Sequence, residues 1–266
     1  MPRSPEHSSE SRPARDRGGS IRVGTSGWSY DHWDGEFYPD TVTQAKRLAY
    51  YVTQFPTVEI NASFYRLPTE SMLRGWRDAA PNHFRYAVKG SRLITHYHRI
   101  GDVADEVAAF MERTGALKAY RDVVLWQLPP TLERDDDLLE RFLRMAPRTG
   151  VRHAVEFRHT SWLAEGVFGI LRAHRAACVH VSSSEMPRDF TVTADFVYVR
   201  LHGLEGYGHD YSRGQLRPWA KFLREQSDAG RDGYVYFNND ARACAPKNAR
   251  MLVDMLGDAA FRWPRR

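Results

Sequence analysis

Cysteine is nearly missing from this chain. Cys178 and Cys244 are the only two, too few for a disulfide framework and without the CxxC spacing or nearby paired histidines of a zinc site. A reducing, cytoplasmic setting fits that usage. Lysine is scarce too: of 38 basic residues only Lys46, Lys89, Lys118, Lys221 and Lys247 are lysines, so part of the basicity reflects composition. No stretch approaches the roughly 18 to 20 apolar residues that span a bilayer, and the N-terminus has no apolar secretory core, so no membrane partner is expected. Residues 1–20 contain no aromatic or β-branched residue. They bury too little to offset the entropy of ordering and are expected to form a disordered tail. Glu6, Glu10 and Asp16 nearly cancel the arginines there, which argues against an arm for anionic polymers.

What is present is enough for one sizeable domain. The 266 residues are 42% hydrophobic, and a (β/α) barrel uses about 250 residues. The net charge of +5 and pI near 9.2 lean toward anionic partners, either a small anionic ligand or nucleic acid. Oligomeric state is not encoded in any pattern of the chain.

From Ile21 onward short apolar runs alternate with helical patterns. Strands are expected at 21–24, 58–64, 84–89, 123–127, 153–157, 177–181, 196–201 and 234–237. Helices are expected at 44–55, 70–79 with Thr69 as cap, 103–117, 135–145 and 162–174. Two more surround the Trp219, Phe222, Leu223 face and residues 248–256. The link 182–195 contains Pro187 and β-branched residues but no helical stripe. The reading is therefore α/β, a single (β/α)8 TIM-type barrel over 21–257 with an irregular crossover in place of the helix after strand six, and a tail over 258–266. An open doubly wound sheet uses the same grammar, but eight units in this length favour closure.

Active sites of such barrels lie at the C-terminal ends of the strands, and those ends are consistently polar here. They carry Trp28 and Tyr30 after strand one, Glu59, Asn61 and Tyr65 on strand two, Lys89 ending strand three with His96 beyond it, and Gln127 ending strand four. Strand five adds Glu156, Arg158 and His159, strand seven Arg200 and His202, and strand eight Asn238, Asn239 and Asp240. A strand alternates faces, so Glu59 shares a side with Asn61, Glu156 with Arg158 and Asn238 with Asp240. Charge on barrel strands is costly unless paired, solvated or used. A ligand or catalytic role is favoured over the alternative, a structural ion-pair network of Glu59 with Lys89 or Glu156 with Arg158. Of the aromatics flanking the mouth (Trp28, Tyr30, Trp33, Phe37, Tyr38, Phe64, Tyr65, Trp162, Tyr207), core packing is the default, with Trp28 and Tyr30 the expected exceptions.

The segments GTSGWSYDHWDGEFYP (24–39), VEINASFYRLP (58–68), FRYAVKGSRLITH (84–96), LWQLPP (125–130), EFRHTSW (156–162), RLHG (200–203) and YFNNDARACAPKNA (236–249) resemble, in order, the motifs of the domain of unknown function 72 (DUF72) family. That resemblance implies a (β/α) barrel and implies no activity. One departure follows Asp240, where Ala-Arg-Ala-Cys-Ala stands in place of the family's usual glycine and aromatic or histidine. It leaves that loop's conformation open and puts Cys244 near the mouth, where a small buried residue is favoured over a nucleophile.

The strand ends offer Glu59, Glu156, Asp240, His96, His159 and His202 as metal ligands without HxH or HExxH spacing, and Lys89, Arg158 and Arg200 would repel a cation, so metal-free chemistry is favoured. Glu59 or Glu156 would serve as base with His202 and Asp240 as further acid/base groups, and Lys89, Arg158 and Arg200 would hold an anion. Lys89 also has the chemistry of a Schiff-base lysine, although an ion-pair partner is the commoner role. The Gly24–Gly27 turn offers backbone N–H groups to an anion only weakly. Two functional readings follow: a hydrolase or lyase acting on a phosphorylated or nucleic-acid substrate, or a non-catalytic module that binds nucleic acid or another polyanion.

Overall fold

The computed structural model describes residues 18–147 and 150–264. Eight strands, β1 (Ile21–Thr25), β2 (Thr57–Ile60), β3 (Arg85–Lys89), β4 (Arg121–Gln127), β5 (Arg152–Glu156), β6 (Ala177–Ser183), β7 (Phe196–Gly203) and β8 (Asp232–Phe237), pair in parallel in the spatial order β1-β8-β7-β6-β5-β4-β3-β2. The helices between them are α1 (Arg47–Gln54), α2 (Ala62–Tyr65), α3 (Glu70–Ala79), α4 (Ala104–Gly115), α5 (Asp136–Met145), α6 (Glu165–Ala173), α7 (Arg213–Asp228) and α8 (Cys244–Leu256). This is the TIM-type (β/α)8 barrel expected. No helix among the described residues is long and apolar enough to cross a membrane.

The strand alternation sorts two cores. Side chains such as Val58, Ile60, Val88, Trp126, Val155, Val199 and Val235 point outward into a layer shared with the helices. Ala87, Val123, Leu125, Ala154, Ala177, Val179, Val181, Phe196, Tyr198, Tyr234 and Tyr236 fill the lumen. Small residues on β3, β5 and β6 leave room for the tyrosines of β7 and β8, as close packing demands. The lower end is sealed by polar contacts: Arg152 donates to the Tyr234 hydroxyl at 2.7 Å and to Asp232 at 3.1 Å, and Tyr234 donates to Asp122.

Closure between β1 and β2 takes an unusual form. The two strands meet only in a bridge at Ser26 and Glu59, where the Gly27 N–H donates to the Glu59 carbonyl at 2.8 Å. Below it the Tyr51 hydroxyl of α1 fills the seam, accepting from the Thr25 N–H at 2.9 Å and donating to the Thr57 carbonyl at 3.1 Å. A side chain at Gly24 would put its Cβ 2.1 Å from that carbonyl oxygen, so only glycine allows this approach.

Several boundaries differ from the sequence expectation. Strand two ends at Ile60; residues 62–65 form the one-turn helix α2, which moves Tyr65 off the strand. Helix α8 starts at Cys244 rather than 248. The link after β6 has no helix, as expected, and is strapped to the sheet instead: the Thr193 hydroxyl accepts from the Cys178 N–H and donates to the Ala176 carbonyl, both at 2.7 Å. Of the expected N-terminal tail, residues 1–17 lie outside the described residues, whereas the Gly19 N–H donates to Ser227 and the Ser20 N–H to Asp232. The expected C-terminal tail is docked as far as Phe261, whose N–H donates to the Ile21 carbonyl at 2.8 Å and whose ring lies 4.0 Å beneath the Arg22 guanidinium.

Candidate active site

Inward positions at the C-terminal ends of β1, β2, β5 and β7 bring Ser26, Glu59, Glu156 and Arg200 to one point. Arg200 lies between the two carboxylates, 2.7 Å from Glu156 Oε2 through Nη1 and 2.7 Å from Glu59 Oε1 through Nη2, and all three residues are at most 1% exposed. Gln127 Oε1 accepts a second bond from Nη1 at 3.2 Å, and Ser26 Oγ one from Nη2 at 3.1 Å. Glu59 also accepts from the Ser26 hydroxyl and, at 2.6 Å, from the Tyr198 hydroxyl. Glu156 Oε1 accepts from Arg158 Nε and lies 3.3 Å from His202 Nε2. All four carboxylate oxygens are therefore engaged. A buried pair of this kind is costly to desolvate and is stabilised only when every lone pair is matched.

The electrostatics follow from this packing. Burial alone would raise the Glu156 carboxyl, but Arg158, Arg200 and His202 hold it well below the usual carboxylate range. The Arg200 guanidinium is desolvated, yet Glu156 and Glu59 hold its proton more tightly than usual. Burial pulls His202 down to about 4, with Arg200 and Arg158 opposing protonation and Glu156 favouring it, so its imidazole is neutral at physiological pH. That imidazole links Arg158, 3.0 Å from Nε2, to the Asn238 amide, 3.0 Å from Nδ1.

Above this floor opens a cleft of about 700 Å³. Trp28, Tyr30, Met72, Trp76, Tyr65 and Tyr207 form its walls, and Asn61, Lys89, Arg200 and Asn238 its polar face. The Tyr30 hydroxyl donates to the Ser26 carbonyl at 2.7 Å, and Asn61 Nδ2 to Ser26 Oγ at 2.7 Å. Among the described residues, Asn61 Oδ1 and Arg200 Nε are buried without a hydrogen-bond partner. Lys89 Nζ sits 4.2 Å over the Phe64 ring. Burial, reinforced by Arg200 and Arg158 and only partly offset by Glu59 and Glu156, brings its ammonium down to about 8.

The site thus unites most of the residues expected from sequence, with several corrections. Of the ion pairs named in the structural alternative, Glu156 with Arg158 is present, whereas Glu59 pairs with Arg200 rather than Lys89. Asn239 turns away from the cleft: it is buried and donates to the His209 carbonyl at 2.7 Å and to Asn248 at 2.8 Å, holding the β8–α8 loop. Asp240 faces His32 at 3.5 Å, and its carbonyl accepts from Trp33 Nε1 at 2.8 Å, outside the cleft. His96 lies behind Phe64, 2.9 Å from the Thr95 hydroxyl. The N–H groups of Thr25, Ser26 and Gly27 are all spent on closing the barrel, so that turn cradles no anion. Trp33, Phe37, Tyr38 and Trp162 are core residues, while Trp28 and Tyr30 border the cleft as expected. Cys244 is buried, and burial raises its thiol. No group of three or more His, Cys, Asp or Glu among the described residues is placed to hold a metal ion.

Sequence reasoning overlooked Tyr198, Met72 and Trp76. Tyr198 was within reach, since it precedes Arg200 by two on the same strand and must share its face. Met72 and Trp76 belong to α3, whose apolar stripe gives no hint that its upper turns border a cleft.

A profile described as "Protein of unknown function DUF72" matches residues 22–265. The UPF0759 protein YunF of Bacillus subtilis is 24% identical over 270 residues, covering 89% of this chain and 94% of that protein. Among solved structures, a DUF72 family protein from Thermotoga maritima superposes with TM-score 0.82 at 28% identity, covering 89% of this chain and 99% of that one. A DUF72 family protein from Enterococcus faecalis gives TM-score 0.73 at 19% identity over 90% of this chain and 98% of that one, and shares the fold.

Proposed function

From the premise that this chain belongs to the DUF72 family, we propose that the barrel mouth is an active site for a small anionic substrate and that its chemistry is of the lyase type, without a metal. The observation that carries this reading is a ligand-sized cleft bordered by Lys89 and Arg200, in which Arg200 is paired with Glu59 and Glu156, Arg158 with Glu156 and Glu185, and Lys89 with no carboxylate among the described residues. The Lys89 charge therefore faces the cleft without a carboxylate partner, which favours an anion and opposes a metal ion. Hydrolysis by a glutamate base is the weaker branch, because Glu59 and Glu156 are fully buried with every oxygen engaged, and Glu156 is held well below the usual carboxylate range, which makes a poor base. In this reading the two glutamates hold Arg200, while Asn61, Lys89, Asn238 and Tyr30 meet the substrate.

A second reading, a non-catalytic module for single-stranded nucleic acid, is favoured by the rim. Tyr65 and Tyr97 are well exposed, and the Arg92 guanidinium lies 5.6 Å and 5.5 Å from their rings. Such platforms stack on bases.

The two readings separate in a thermal-shift screen of small phosphorylated and carboxylated compounds and a single-stranded oligonucleotide at low and high salt. Stabilisation by a small anion, lost in Trp28→Ala and Asn61→Ala, is the expected result. Stabilisation only by the oligonucleotide, falling steeply with salt and indifferent to those substitutions, would overturn it in favour of the module.

A further inference from the structure

We propose that Lys89 is a covalent nucleophile that forms an imine with the carbonyl of a small aldehyde or ketone bearing a carboxylate or phosphate. This deepens the small-anion reading above and rests on it. Lys89 is half-buried, and no carboxylate among the described residues lies within ion-pairing distance of it, while the two acids nearest in the fold spend every oxygen on Arg200, Arg158, Ser26, Tyr198 and His202. The Phe64 ring replaces part of the water the amine has lost, without fixing the proton. The position is rigid. Lys89 ends β3 opposite Leu125, and its carbonyl accepts from the Ser63 hydroxyl at 2.6 Å. Lys89 lines the same cleft as Asn61, whose Oδ1 is unpartnered among the described residues and is an acceptor suited to a substrate hydroxyl or to the N–H of an iminium.

The step balances without a co-reactant. The neutral Nζ lone pair adds to the carbonyl carbon, the C=O bond gives way to C=N, and the carbonyl oxygen departs as water with the two amine hydrogens. Protonation of the imine nitrogen then makes the adduct an electron sink for the lyase chemistry proposed above.

The chain supplies its own controls, because Lys46, Lys118, Lys221 and Lys247 are all exposed. With its ammonium brought down to about 8, Lys89 presents roughly two orders of magnitude more free amine at neutral pH than a lysine side chain free in water. The test incubates the full chain with glyoxylate, glyceraldehyde 3-phosphate or neutral propanal together with cyanoborohydride, and maps the reduced adducts by peptide mass spectrometry. The expected result is occupancy at Lys89 at least about tenfold above every other lysine with one or both anionic aldehydes. The preferred aldehyde identifies the anion, and Lys89→Arg and Lys89→Met lose the adduct. Labelling spread evenly over the five lysines, or preferring the exposed four, overturns the proposal. If glyoxylate or glyceraldehyde 3-phosphate raises the melting temperature through the cleft while Lys89 stays unmodified, the imine is refuted and the small-anion reading stands. If neither anion binds nor reacts, both fall.

Discussion

Glu156 illustrates how a single side chain is committed by its neighbours. Its carboxylate is wholly buried and touches two arginines and a histidine. Glu156→Gln keeps the shape and removes the charge, leaving Arg200 and Arg158 undercompensated in a dry environment. A loss of about 3 kcal/mol is expected, read as a lower urea midpoint at neutral pH. The pH dependence has a definite sign. The folded carboxyl lies well below its ordinary value of 4.5, so the stability it contributes is complete above that value and is lost as pH falls through the depressed folded value. The gap between wild type and variant should therefore be constant near neutrality and close only in strong acid. A gap that closes already in mildly acidic buffer would contradict this assignment. The identities of Glu59, Lys89, Glu156 and Arg200 were legible in the sequence as charges on strand ends. Their pairing was not, because which strands face one another across a lumen is set by barrel closure and not by sequence separation.

Among the elements, α6 and α7 end in the same hydrogen-bond pattern with different residues at the critical position. After α7 the Arg231 N–H returns to the Gln226 carbonyl, and Gly230 takes φ 78°. After α6 the Ala176 N–H returns to the Leu171 carbonyl, but the left-handed position is filled by exposed Arg175 at φ 53°. This is a Schellman ending, and it favours glycine. Arg175→Gly relieves a left-handed L-residue at some cost in unfolded-state entropy, a net gain of about 1 kcal/mol, or roughly 2 to 4 °C in melting temperature for a domain of this size. No gain in Tm would mean that the Arg175 side chain contributes more than its exposure suggests. Helical stripes and the Thr69 cap, whose hydroxyl accepts from the Met72 N–H, were readable because they are local. The one-turn helix α2 was not, since its apolar run reads equally well as strand.

For the molecule as a whole, the least hydrogen-bonded seam is the one between β1 and β2, and the chain reinforces β1 from elsewhere. Ala260 bridges Ile21, and Phe261 pairs with the Ile21 carbonyl and the Arg22 guanidinium. Removing residues 260–266 deletes the Phe261 backbone bond and the Ala260 bridge to Ile21, the cation–π contact with Arg22, the stacking of Phe261 on His83 and the bond from the Ala260 N–H to the Gly257 carbonyl. About 2 kcal/mol of stability should go with them, measured as a drop in Tm with the fold retained by circular dichroism. An unchanged Tm would show that β1 is held by β8 and Tyr51 alone.

The order of the elements, the (β/α) class, the missing helix after β6 and the polar character of the mouth followed from the sequence itself, because apolar period, caps and turn residues act over a few positions. Only the tertiary structure decided that Arg200 binds both glutamates, that Asn239 and Asp240 turn away from the cleft, and that Lys89 has no carboxylate partner among the described residues. Each of these depends on distances between strands far apart in the chain, which burial and barrel closure fix and which no local pattern encodes.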